Sequence, residues 1–494
     1  MQLTNQPKIR MGLVAVSRDC FPKELSARRM ARVVEECRKI DLDIVPCSII
    51  IESETDAMGA VAEMTAKGVN AATVYLGNFG PEGPTTIFAQ RFGRPFMLIG
   101  AAEESTKGLM KDRGDAYCGM LSACLNCGLR NLMPYVPENP VVVPSGVAAA
   151  MAHFAVVARV VVGVRNLKVI SFGPRPFDFF ACNAPIKPLL DLGMEVMENS
   201  ELDLYRLVQE AGKRKEISSI ASDMAKELGK KGNQHPDKLK PLAALELALT
   251  DFYDKNRGSK DFAVFANKCW PGFEPEFKFV PCYVNGRLSA RGIPAACEAD
   301  LYGAVSQYMT QLASDYPVAF LDINNSVPAD MKLPALGGAA REDLFMGFHC
   351  GNAASCLLCE GCAMKHQVIM HRLMEPGKTP DITVGTLEGR LKPGPVTVFR
   401  FSNTPRGEVA AYIAEGKVPD VDPASFGSIG VIACPGFGRF YRHVLLEHQF
   451  PHHAAVGFRH AGRVLWDAMK LMGITAYTPL PAGMLYPSEN PFAG

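Results

Sequence analysis

The chain has almost no net charge: across 494 residues, 52 Lys and Arg nearly cancel 51 Asp and Glu. That balance removes any general electrostatic reason to expect nucleic acid or an anionic membrane as partner. Gly-rich fingerprints of either common spacing are also missing, so no nucleotide cofactor is implied. No internal repeat and no long low-complexity tract interrupts the sequence. Only one run approaches membrane-spanning length, Val141 to Val164, and Pro144, Ser145, His153 and Arg159 break it. A spanning helix needs about 20 predominantly apolar residues, so a strand end followed by a buried helix is expected there. The short polar stretch before the first apolar run is not expected to be a secretory leader, and the 15 cysteines are scattered and odd in number. A reducing cytoplasm is expected rather than an extracellular disulfide framework.

What is present is the composition of an ordinary globular protein, 48% hydrophobic and 21% charged. The length allows two or three domains, because single cores stop growing well before it. The first third alternates short apolar strands (Met11 to Ser17, Leu42 to Cys47, Ala71 to Leu76, Pro95 to Ile99) with helical patterns (Pro22 to Ile40, Glu54 to Lys67, Thr85 to Arg91). That rhythm predicts a parallel sheet with helices on its faces. A second unit begins near Leu167, and after about Gly377 short β-like runs such as Pro395 to Phe401 and Ser428 to Ala433 predict a mainly β region. The expected boundaries are an N-terminal α/β domain over 1–166, a second α/β domain carrying the acidic ligands over 167–355, and a helix plus mainly β domain over 356–494.

The chemistry concentrates in a few segments. Ala295 to Tyr302 reads as the opening of an apolar helix with Glu298 in its first turn, and Pro317 to Leu321 as a strand delivering Asp322 at its end. Two such carboxylates can converge at the carboxyl edge of an α/β sheet, where ligands bind. With a histidine they make an oxygen-rich set suited to Mn2+ or Mg2+. The structural alternative is a helix-start charge at Glu298 and a turn former at Asp322. His349 ends another short strand, and the pair His452 and His453 follows Pro451. A hydrogen-bonding core histidine is the alternative for each.

The segments Lys268-Cys269-Trp270-Pro271 and Gly292-Ile293-Pro294-Ala295-Ala296-Cys297-Glu298-Ala299-Asp300 resemble the L-fucose isomerase and L-arabinose isomerase superfamily, on its fucose isomerase-like branch. Asp322, the stretch His349 to Asn352, and Pro451-His452-His453 follow in the superfamily's order. The resemblance implies two Rossmann-like α/β domains with parallel sheets followed by a mainly β C-terminal domain. It implies an aldose–ketose isomerase using Mn2+ or another divalent cation and assembling as a homotrimer or homohexamer. Glu298 and Asp322 match the two metal carboxylates and carry the proton-transfer role as well. One of His452 and His453 matches the metal histidine, with His453 favoured. His349 stands where the arabinose branch has a further ligand, so it either ligates or contacts sugar.

Such an enzyme moves a proton between C1 and C2 through an ene-diol while a cation stabilises the developing charge. The expected sugar-binding residues are Trp270, Asn267, Asn285, Asn324, Asn325 and Asn352, with Arg175 and Arg287 available to a phosphate or sulfonate; ion pairing is the alternative for both arginines. Three rivals stay open. Cys350, Cys356, Cys359 and Cys362 invite an iron–sulfur or zinc assignment, against which Ala353 to Met374 reads as one helix with packed thiols. A non-catalytic sugar-binding protein would need no converging carboxylates. An epimerase or an aldolase-like enzyme would reuse the same metal scaffold.

Overall fold

The computed structural model describes residues 3–336, 338–379 and 381–491. It holds two α/β layers with parallel sheets and a nine-stranded, mainly antiparallel sheet, as expected. One compact unit comprises Pro7–Val162 and Asp467–Gly473; the other is built mainly of Gly163–Trp466 and includes the residues from Ile474 onward.

In the first unit, five parallel strands run in the order Ile44–Pro46, Met11–Val16, Ala71–Leu76, Phe96–Ala101, Val141–Val142. Met11–Val16, Ala71–Leu76 and Phe96–Ala101 are buried at every residue. Strands of this kind are covered on both faces, which is why they read as continuous apolar runs. Helix Glu54–Ala66 starts at Ser53, whose hydroxyl accepts the Asp56 N–H while the Asp56 carboxylate answers the Ser53 N–H. Helix Pro144–Arg165 meets the length and apolarity of a membrane span, but 61% of its most apolar window is buried inside the protein, as in a core helix.

The second unit carries the parallel order Glu195–Asn199, Leu167–Phe172, Phe262–Asn267, Ala295–Cys297. Helix Leu301–Ser314 follows and is buried along its whole length. Its interior hydroxyls are satisfied locally: Ser306, Thr310 and Ser314 each donate to the carbonyl four residues back, at 2.7, 2.8 and 2.8 Å. The nine-stranded sheet places Val318–Asn325 near its middle, between Leu344–His349 and His453–Gly457, both antiparallel to it.

Three local readings change. Ala295–Cys297 is a strand, so Glu298 lies in the connection after it rather than in a first helical turn, and Asp300 caps the helix. Glu298 and Ala299 both take positive φ, 62° and 56°, which keeps the chain out of the helix for two residues. Val318–Asn325 continues past Asp322 and pairs antiparallel on both sides, so Asp322 sits inside a strand of the mixed sheet. Apolarity alone does not say which sheet such a buried strand joins. The stretch from Ala353 to Met374 is no single helix: it contains a turn at Ser355–Leu357, strand Ala363–His366 and helix Val368–Met374. Gly361, with φ 91°, interrupts it.

Candidate metal centre

The site is assembled from four chain segments that the two sheets of the second unit bring to one place. Strand pairing sets Asp322 directly opposite His453, and Glu298 arrives from the end of the neighbouring parallel sheet. His453 Nε2 lies 3.0 Å from Glu298 Oε2 and 3.4 Å from Asp322 Oδ1. His349 offers a ring nitrogen within 4.8 Å of the Glu298 and His453 ligand atoms, and His452 does so for Asp322 and His453. His349 and His453 are buried, whereas the His452 side chain is partly open and stands 3.9 Å from Asp322 Oδ1.

A wall of aromatic side chains closes round these groups. Trp270 Nε1 donates to Glu298 Oε1 at 2.8 Å, fixing the carboxylate's orientation. Phe179 meets Trp270 and His452 edge-on, with ring centroids 6.2 and 5.4 Å apart. Phe320 packs 4.6 Å from the His453 ring. The loop that carries Phe179 also brings the Cys182 thiol to 3.8 Å from His453 Nδ1. Behind His453, Asp300 Oδ2 lies 2.9 Å from Nδ1, and Arg400 grips the same carboxylate with two hydrogen bonds of 2.6 and 3.0 Å.

The acidic groups are driven apart electrostatically. Burial pushes Glu298 up, but the close approach of the protonated His453 ring, with the Trp270 hydrogen bond, outweighs this and holds the carboxyl at about 2. Asp322 goes the other way, to about 6: burial dominates, and the Glu298 charge adds to it against His453. Burial pulls both His349 and His452 down to about 4, so each is a neutral imidazole with a lone pair to offer. His453 is raised well above its ordinary value, since its acidic neighbours, Asp300 foremost, overcome its burial.

Two buried atoms are left without hydrogen-bond partners here, Asp322 Oδ1 and His453 Nε2. Adjacent ligands of an octahedral ion with bonds of roughly 2.1 Å stand about 3 Å apart. The 3.0 and 3.4 Å separations round His453 Nε2 match that spacing. The donor set of carboxylate oxygens and imidazole nitrogens therefore fits one divalent cation, with Mn2+ and Mg2+ among the ions such ligands suit.

Of the other expected residues, Trp270 is in place on Glu298. Asn267 is buried at a strand end; its carbonyl accepts the Ala299 N–H at 3.2 Å, and its amide oxygen has no partner. Asn352 donates to Cys297 Sγ at 3.3 Å and likewise keeps an unpartnered amide oxygen. Asn324 reaches the Asp322 carboxylate and lines a cavity of about 370 Å³ with Asn325, Phe345, Phe437 and Tyr441. Arg175 lies on the same loop as Phe179 and stacks its guanidinium 4.8 Å over the Phe180 ring. The Arg175 Nε is buried without a partner. Arg287 is taken up elsewhere, between Glu246 at 2.6 Å and Glu227. Among the described residues, no group of three ligand atoms within reach of one ion includes Cys350, Cys356, Cys359 or Cys362.

Sequence reasoning passed over Asp300, Arg400, Cys182, Phe179 and Phe320. Arg400 did carry a signal: it is the one charge inside the apolar strand stretch Val396 to Phe401. Such a residue must be paired if its strand is buried.

Fold and site together define a three-sheet α/β protein with a buried carboxylate–histidine centre. The family described as "Fucose/sulfoquinovose isomerase, N-terminal domain" matches residues 12–165, and "L-fucose isomerase, C-terminal domain" matches residues 347–478. The chain belongs to the fucose isomerase-like family. Among curated relatives, a sulfoquinovose isomerase of Alkalicoccus urumqiensis is 27% identical over 40% of this chain and 40% of its own length. One from Clostridium sp. (strain MSTE9) is 27% identical over 37% and 36%, and one from Priestia aryabhattai 23% identical over 55% of each. The matched stretches thus span between about a third and just over half of those relatives.

Proposed function

We propose that this chain is a metal-dependent aldose–ketose isomerase acting on a sugar that carries an anionic group, a sulfonate by preference. The reading rests on one observation above all: the buried, unpartnered Nε2 of His453 set between the Glu298 and Asp322 carboxylates. Glu298, Asp322 and His453 would hold the cation, with His349 and His452 next in reach. When bound, a divalent ion supplies Lewis-acid stabilisation of the charge that shifts between O1 and O2.

The protein's own groups do the rest. Glu298 and Asp322 are the candidates to take a proton from one carbon and return it to its neighbour, and their separated affinities for protons suit acid and base roles. Trp270 holds Glu298 and offers an apolar face to the sugar ring. Phe179 and Phe320 keep water from the reacting carbons. Arg175 brings an unused Nε–H donor on the loop that borders the site, which favours an anionic substituent. The relatives named sulfoquinovose isomerase point the same way.

The test is a panel of sulfoquinovose, L-fucose, L-arabinose and sugar phosphates in deuterated water. Chelated protein should be inactive and Mn2+ should restore it best; ketose carrying solvent deuterium is the expected product. Arg175→Met should raise KM for the sulfonated sugar by about 10- to 100-fold, the worth of a charge-assisted hydrogen bond, and change KM for neutral sugars little. Full turnover after rigorous metal removal would end the metal-dependent reading. Products of carbon–carbon cleavage or of epimerisation would keep the centre and change the reaction class.

Proton release offers a second check. Metal binding must displace protons from its ligands. Glu298 is ionised and His349 is neutral above about pH 4, whereas His453 keeps a proton far higher and Asp322 keeps one up to about 6. Mn2+ affinity is expected to rise with pH above 6, because the cation must displace the proton that His453 holds more tightly than an ordinary imidazole. Below pH 6 it should fall more steeply, because Asp322 adds a second proton. Titration calorimetry in buffers of different ionisation enthalpy counts these protons. An affinity flat from pH 6 to 8 would contradict the assignment of His453.

A further inference from the structure

Both oxygens of Asp300 are fully committed. Oδ1 accepts the Gly303 N–H at 2.8 Å, capping helix Leu301–Ser314, and also takes Arg400 Nη2 at 3.0 Å. Oδ2 takes Arg400 Nη1 at 2.6 Å and faces His453 Nδ1 at 2.9 Å. The Asp300 and Arg400 side chains are only 2% and 1% exposed, so solvent does not share these contacts. An ionised carboxylate only accepts hydrogen bonds, so the proton between Oδ2 and Nδ1 belongs to the nitrogen. Strand pairing with Asp322 fixes where the His453 backbone lies, but leaves the ring free to turn. Asp300 on one side and the Phe320 ring on the other remove that freedom. Nε2 is then the atom aimed at Glu298 and Asp322.

We infer that Asp300, clamped by Arg400, is a positioning residue: it holds His453 with Nδ1 protonated so that Nε2 addresses the cation. The inference rests on the metal centre proposed above. A plain structural role, as helix cap and counter-charge, would make the pair matter for folding and leave metal affinity untouched. Carboxylates that orient metal-binding histidines through the distal nitrogen typically change metal affinity 10- to 100-fold when lost.

Asp300→Asn separates the two roles. The asparagine carbonyl still caps Gly303, while its NH2 replaces Oδ2 and donates to Nδ1, which forces the proton onto Nε2. Because Arg400 would then face an amide, the double variant Asp300→Asn/Arg400→Met is made alongside, leaving neither charge buried alone. Calorimetric titration with Mn2+ should show affinity 10- to 100-fold weaker in both. Long-range 1H–15N spectra of the 15N-histidine-labelled, Mg2+-loaded parent should show His453 protonated at Nδ1, and the variants should show the proton on Nε2. Mn2+ affinity within twofold of the parent in a folded variant would overturn the inference, as would a parent His453 with its proton on Nε2. Should neither variant fold, the parent spectrum decides. A parent that binds no Mn2+ refutes the metal centre itself, and its Nδ1 signal still tells whether Asp300 holds the ring.

Discussion

Glu298→Gln and Asp322→Asn are each expected to leave a folded protein whose sugar isomerisation has fallen by at least ~10²–10⁴-fold, the loss typical of an essential acid–base group. Each change keeps the shape of the side chain and deletes the charge that either binds the cation or carries a proton. The two should differ in how they lose activity. Glu298 is ionised throughout the ordinary pH range and accepts from Trp270, so Glu298→Gln removes a permanent negative charge beside His453. Metal affinity should fall with turnover. Asp322 holds its proton up to about 6, because burial and the Glu298 charge both oppose ionisation. Asp322→Asn therefore imitates a state the parent already populates in weak acid, and its fold should tolerate the change well. Circular dichroism confirms folding, Mn2+ titration gives affinity, and the isomerisation assay gives turnover. Parent-level turnover in both variants would refute the site.

Much of this centre was legible in the sequence, and the reasons are specific. Strands such as Ala71–Leu76 and Ser428–Ala433 announce themselves because each is a short apolar run bounded by turn residues. Glu298, read at a helix start, and Asp322 and His349, read at strand ends, could be grouped because such positions face a ligand at the edge of a sheet, whereas His453 joined them only through the resemblance to the isomerase superfamily. What could not be read was which sheet a strand joins. Val318–Asn325 is as apolar as a parallel strand, and only its two antiparallel neighbours, themselves distant in sequence, place it in the mixed sheet. The conformation at Glu298 was hidden for a related reason: positive φ at Glu298 and Ala299 contradicts their local preference and is imposed by the surrounding structure. Asp300 was hidden because the sequence reads as a helix opening at Ala295, which leaves Asp300 inside it rather than at the cap it fills. Its partner Arg400 lies 100 residues away, and no spacing rule connects them.

Arg400→Met alone should destabilise the protein by about 3–5 kcal/mol at neutral pH, the usual penalty for removing one partner of a buried ion pair. The reason is the charge left behind. Asp300 is buried beneath the helix it caps, and its carboxyl is held below the ordinary range against strong burial, with Arg400 the largest favourable influence. His453 then remains as Asp300's nearest cation, at 2.9 Å, so part of the loss is recovered if that imidazole stays protonated. The pH dependence carries a definite sign. In the parent, Asp300's depressed affinity for protons contributes stability that is present above its unfolded value and is lost as the solution is made acid. Without Arg400 that carboxyl moves upward and binds a proton more readily than in the parent. The stability gap between the two proteins is therefore widest near neutrality and narrows as pH falls and Asp300 is neutralised. Urea unfolding of chelated protein between pH 4 and 8 measures this gap. A gap that stays constant even as Asp300 of the variant takes up its proton would mean that Arg400 acts through packing alone, with no electrostatic hold on Asp300.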